Sequence, residues 1–110
     1  MDNYIEIDFT DTSEVRATSL YQYDYGQEVR IKGVEEVTEI HFWQENMNEA
    51  IRVEPTGSTI FIAKIPDKLL KHDKPISVFV YASDSEAGKT THKAVIPVKS
   101  RPQLAESIEP

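Results

Sequence analysis

The chain has 110 residues, 39% of them apolar, and a formal net charge of −7, a length that supports one hydrophobic core rather than two. Its twelve Lys and Arg residues are scattered against nineteen Asp and Glu residues. It therefore lacks the clustered positive charge that phosphate backbones require, and nucleic acid is not an expected partner. With no cysteine, disulfide frameworks and thiolate metal sites are excluded, and no apolar run approaches the roughly 20 residues needed to span a bilayer.

In chain order, the opening "MDNYIEIDF" is acidic and alternating, without the basic and apolar regions of a signal peptide. This predicts a soluble protein made in the cytoplasm. Within it Ile5, Ile7 and Phe9 share one side and Glu6 and Asp8 the other, the pattern of a half-buried strand. "DTSE" reads as a turn, because short oxygen-bearing side chains compete for backbone hydrogen bonds. "YQYDYGQEV" then sets Tyr21, Tyr23 and Tyr25 on alternate positions before Gly26. That spacing suits a sugar-stacking platform, the edge of a catalytic site, a protein-binding face or one side of a strand.

"VRIKGV" turns Val29 and Ile31 inward and Arg30 and Lys32 outward, and "EIHFW" opposes Ile40 and Phe42 to His41 and Trp43. "AIRV" is a short strand that stops at the Pro/Gly turn "EPTGS", directly before "TIFIAKI". "PDKLLKHDKP" is the one helical signal, a single turn near residues 66–72 closed by Pro75. "ISVFVYA" and "THKAVIPV" flank the polar loop "SDSEAGKT" as a long hairpin, and periodicity fades beyond Pro97. The expected fold is all-β, a single antiparallel β-sandwich over residues 1–100. Residues 101–110 are expected to form a linker or exit segment.

Two strands exceed simple alternation. In "TIFIAKI", Ile60 and Ile62 oppose Phe61 and Ala63; in "ISVFVYA", Ile76, Val78 and Val80 oppose Phe79 and Tyr81. The outer face of an antiparallel sandwich is normally solvated. A flanking segment of the chain or a neighbouring subunit is expected to cover it, unless these are aromatic cross-strand pairs left partly exposed.

Signals for chemistry are weak. Gly88-Lys89-Thr90 matches the end of a phosphate loop, but Ser83 stands where that loop needs glycine, and an alternating strand follows where it needs a helix. His41, His72 and His92 lack metal-ligand spacing and read as surface histidines. No serine occupies a nucleophile elbow beside a matched histidine. Glu35, Glu36 and Glu39 read as a solvated strand approach, and Asp8, Asp11 and Glu14 as a turn, rather than as acid–base pairs. The chain is therefore expected to be non-enzymatic, with no cofactor and no metal. The aromatics are the stronger lead. Tyr21, Tyr23, Tyr25, His41, Trp43, Phe61, Phe79 and Tyr81 are the candidate contacts for a protein or a glycan, and packing against the sandwich end is the competing role for the tyrosines.

"YQYDYGQEVRIKGV", "EIHF", "IPDKLL", "KPISVFVYA" and "HKAVIPVKSRP" occur in that order. Together they resemble the N-terminal domain of phage baseplate upper proteins, a module of siphophage tail and fibre proteins. The resemblance covers about Leu20 to Pro102, and its most specific pieces are "YDYGQ", "IPDKLL" followed by "KPI", and "IPVKSRP". It implies a structural β-sandwich in the virion, docked onto other tail or baseplate proteins and carrying segments toward the receptor-binding parts. A homo-oligomer is expected, and neither catalysis nor a cofactor is implied. Trp43 departs from the family pattern, which is small and polar there. The chain also ends eight residues after Pro102, where relatives continue into further domains. The alternative function is a carbohydrate-binding module that sets Trp43 and the tyrosines against host cell-wall glycans.

Overall fold

A computed structural model describes residues 3–84 and 88–102, apart from the side chains of residues 84, 88 and 89. Ten strands and one 3₁₀ turn follow in order: β1 Tyr4–Asp8, β2 Glu14–Arg16, β3 Leu20–Tyr21, β4 Glu28–Lys32, β5 Val37–Gln44, β6 Ile51–Val53, β7 Phe61–Lys64, the 3₁₀ turn Asp67–Lys71, β8 Ile76–Asp84, β9 Gly88–Ile96 and β10 Val98–Lys99. One sheet has the order β1-β4-β7, a second the order β2-β9-β8-β5-β6, and β10 pairs with β3 in a third.

Period-two alternation drives the packing. Ile5 and Ile7 of β1, Val29 and Ile31 of β4, and Phe61 and Ala63 of β7 are buried from the three-stranded sheet. Ile40 and Phe42 of β5, Ile76, Val78 and Val80 of β8, and Ala94 and Ile96 of β9 are buried from the five-stranded sheet. All join one apolar cluster, so two sheet faces close on a shared core, as in a sandwich. Leu69 and Leu70 of the 3₁₀ turn are buried in the same cluster.

The all-β class and the single short helical turn are as the sequence predicts. The pairing is mixed rather than purely antiparallel. β1 runs parallel to β4, β2 to β9, and β3 to β10, whereas β4–β7, β5–β6, β5–β8 and β8–β9 are antiparallel. Residues 4–21 thus contribute edge strands to three different sheets. Gly33 makes one crossing possible: its φ is +86°, and a Cβ there would run into the backbone of Phe9 and Thr10. The expected hairpin is present, with Ser83 opposite Lys89 and Asp84 opposite Gly88. Its tip, residues 85–87, lies outside the described residues, as does most of the predicted exit segment. Val98 and Lys99, which begin that fading stretch, are instead paired in β10.

Candidate docking surface

The alternation that buries Ile40, Phe42, Val78 and Val80 turns their neighbours onto the opposite face of the five-stranded sheet. Because β5 and β8 are adjacent, His41 lies directly across from Phe79, Trp43 from Ser77, and Glu39 from Tyr81. Four rings from two strands thereby form one half-buried stripe. His41 and Tyr81 meet edge-on, centroids 4.7 Å apart. The Trp43 indole N–H donates to the Met47 carbonyl at 3.1 Å, which fixes its orientation. Lys93 of β9 places its ammonium 5.7 Å from the Phe79 ring centre, within cation–π range.

Charged groups flank the rings. The Glu39 carboxylate lies 2.8 Å from His41 Nε2 and 3.2 Å from Arg52 Nε, and Arg52 also reaches Glu54 at 3.5 Å. The His41 hydrogen bond, helped by the Arg52 charge and opposed by desolvation, holds the Glu39 carboxyl below its ordinary value of 4.5. Arg52, His41, Phe79, Lys93 and Glu14 are in register across all five strands. Arg52, Glu39, Lys93 and Glu14 were not among the candidates read from the sequence. For Arg52, Glu39 and Lys93 the signal was available, since each sits at an outward position of an alternating strand, but single charges on such positions look like ordinary solvated surface. Glu14 stands in a segment that reads as a turn, on a strand too short to show a period.

The tyrosines form a separate corner. Tyr21 ends β3, and the backbone then turns: Asp24 N–H donates to the Tyr21 carbonyl, Tyr23 adopts φ 68° and Gly26 φ 82°. The corner is tied to the 3₁₀ turn by Tyr23 N–H to the Leu70 carbonyl at 2.7 Å, Gly26 N–H to Asp67 Oδ1 at 3.0 Å, and the Gln22 amide to the Lys71 carbonyl at 2.9 Å. Tyr23 and Tyr25 meet edge-on at 6.4 Å, while Lys99 lies 5.8 Å from the Tyr21 ring centre. Tyr21 and Tyr25 are 47% and 43% exposed. Their alternate spacing thus marks a corner rather than one side of a strand. Among the described residues, no ring pair joins the corner to the stripe.

Two expectations are corrected. Phe61 is not a contact residue: it faces inward from β7, 6% exposed, within the core. The apolar cover on that strand's other side comes down to Ile60, which is exposed, and Ile62, which is half-buried. His92 is not a surface histidine. It is half-buried opposite inward Val80, its ring tilted by 57° against Phe9 with centroids 4.9 Å apart, and among the described residues its buried Nδ1 has no hydrogen-bond partner.

The clefts are open and bordered by charged side chains. One of about 440 Å³ lies between the end of β5 and the 3₁₀ turn, lined by Lys68, Lys71, His72 and Lys74 together with Glu45 and Asp73. The buried Gln44 amide at its base donates to the Leu69 and Lys74 carbonyls, both at 2.9 Å, and so serves to pin the 67–75 segment. Another of about 530 Å³ is bordered by Glu35, Glu36 and Phe61. Among the described residues there is no group of three or more His, Asp or Glu side chains that could hold a metal ion. No described helix is long and apolar enough to cross a membrane. No family model matches the chain, and no curated protein matches it either.

Proposed function

We propose that this domain is a non-enzymatic docking module whose working surface is the outer face of the five-stranded sheet. The observation that carries the reading is the stripe of His41, Trp43, Phe79 and Tyr81, gathered by two adjacent strands and rimmed by Arg52, Glu39, Lys93 and Glu14. Aromatic anchors inside a ring of charge are the composition of a protein–protein contact. Burying them against a neighbour gains apolar area without refolding the domain, because the strands beneath are already fixed by the core.

With the resemblance to the baseplate upper protein module, the reading becomes specific: a phage virion protein, made in the host cytoplasm and carried in the tail or baseplate. There it docks onto other tail proteins and links them to the receptor-binding parts. The test is binding of the purified domain to tail particles, comparing wild type with Phe79→Asp, alongside a cell-wall glycan array. Binding by wild type, loss in Phe79→Asp and an unchanged circular dichroism spectrum support the proposal. Equal binding by the variant, or capture by glycans through Trp43, overturns it.

A further inference from the structure

The row Arg52–His41–Phe79–Lys93–Glu14 spans the outer face, one residue per strand, with β8 in the middle. Its two ends carry opposite charges and its centre is an aromatic ring. We infer that the occupant of this face is a second copy of the same chain, packed face to face about a two-fold axis that lies along β8. The inference rests on the docking reading above: the same face pairs two copies of the chain when no other tail protein occupies it.

A two-fold axis in the plane of the interface has two simple orientations relative to the strands. Laid across them, it sets each strand over its own copy, so Arg52 meets Arg52 and Glu14 meets Glu14. Laid along β8, it exchanges the sheet's two edges. Arg52 of β6 then lies over Glu14 of the other copy's β2, and Phe79 lies over Phe79. The neighbouring rows fit the same operation. Trp43 falls over Val95, which faces outward on β9 beside Ser77, and Glu39 falls over Thr91, which is opposite Tyr81. His41 falls over Lys93, and with histidine counted as neutral no like charges oppose one another in these three rows. Such self-complementarity is what an isologous contact requires, and packed sheets tolerate the roughly 30° rotation that their twist imposes.

The available charge and area agree with this arrangement. Glu14 is exposed, and its carboxylate has no ion-pair partner among the described residues. The Arg52 side chain is 54% exposed despite its contacts with Glu39 and Glu54. Strands of three, nine, nine, eight and three residues, at about 3.3 Å per residue and about 4.8 Å spacing, give a face of roughly 500 Å² per copy. The pair buries roughly 1,000 Å², the lower bound for a specific interface, which fits a dimer that forms reversibly.

Sedimentation equilibrium on Arg52→Glu, Glu14→Arg and their equimolar mixture tests the geometry. In either single-variant homodimer both symmetry-related contacts become like-charge, and association weakens by roughly tenfold or more. In the mixed dimer every contact is again opposite in sign. On one side the glutamate introduced at position 52 faces the arginine introduced at position 14, and on the other the native Arg52 and Glu14 meet. The mixture therefore associates as tightly as wild type. Phe79→Asp abolishes association in all combinations. Single variants that dimerise like wild type, or a mixture that stays monomeric, overturn the inference. Wild type that is monomeric at every concentration also overturns it. None of these results touches the docking reading, which fails if Phe79→Asp leaves binding to tail particles unchanged or if glycans capture the domain through Trp43.

Discussion

The ring stripe on β5 and β8 and the tyrosine corner at residues 21–26 both arise from alternating aromatic sequence, yet they are different objects. In the stripe, each ring is held by a strand whose opposite side is fully buried, so four side chains share one face. In the corner, the backbone reverses at Tyr23 and Gly26, and the rings are held by hydrogen bonds to the 3₁₀ turn. Period two identifies a face only where apolar residues occupy the intervening positions. Between His41 and Trp43 stands Phe42, and between Phe79 and Tyr81 stands Val80; between the tyrosines stand Gln22 and Asp24.

The comparison can be broken most forcefully from beneath the stripe. Phe42 is fully buried between outward His41 and Trp43, and Phe42→Ala should cost about 3–5 kcal/mol, read as a fall in the denaturation midpoint with the stripe lost alongside it. A fall of under about 1 kcal/mol would mean that the strand is not anchored by its inner side. Gln44→Ala comes next. It strips the Leu69 and Lys74 carbonyls of their donor and should cost about 1–3 kcal/mol. Hydrogen exchange should rise at the 3₁₀ turn and the tyrosine corner while the stripe stays protected.

Gly26→Ala addresses the corner alone. No atom lies within 4 Å of where its Cβ would stand, so the cost is conformational, from φ +82°, and should be about 1 kcal/mol. Binding through the stripe should be unchanged. The smallest effect expected is that of Glu39→Gln. The folded carboxyl titrates below 4.5, so its contribution to stability is present above that pH and fades as pH falls through the lowered value. Wild type should melt slightly higher than the variant at neutral pH, and the two should coincide in acid. A gap that widened in acid would contradict the His41–Glu39–Arg52 arrangement.

Much of the fold was legible because burial follows period two: Ile5, Ile7, Val29, Ile31, Ile40 and Phe42 all point where alternation predicts. The 3₁₀ turn was legible from its prolines and the Leu69–Leu70 pair. Parallel pairing was not, because alternation is a property of one strand and carries no record of its neighbour's direction. β2 and β3, of three and two residues, are too short to show a period. For the site, alternation placed His41, Trp43, Phe79 and Tyr81 outward, but their meeting depends on β5–β8 register, set by residues far apart in the chain. Phe61 was misassigned because a strand apolar on both sides leaves its inward face undetermined. The neighbouring Ala63 and Ile65, both buried, decide it.

Trp43 is the only tryptophan and stands in the stripe, so its accessibility to acrylamide reports directly on whether the outer face is covered in the assembled protein. The account predicts that quenching of Trp43 falls as wild type is concentrated, whereas Phe79→Asp stays quenchable throughout. Quenching that is equal in both proteins at every concentration, while wild type associates, would place the contact elsewhere and contradict it.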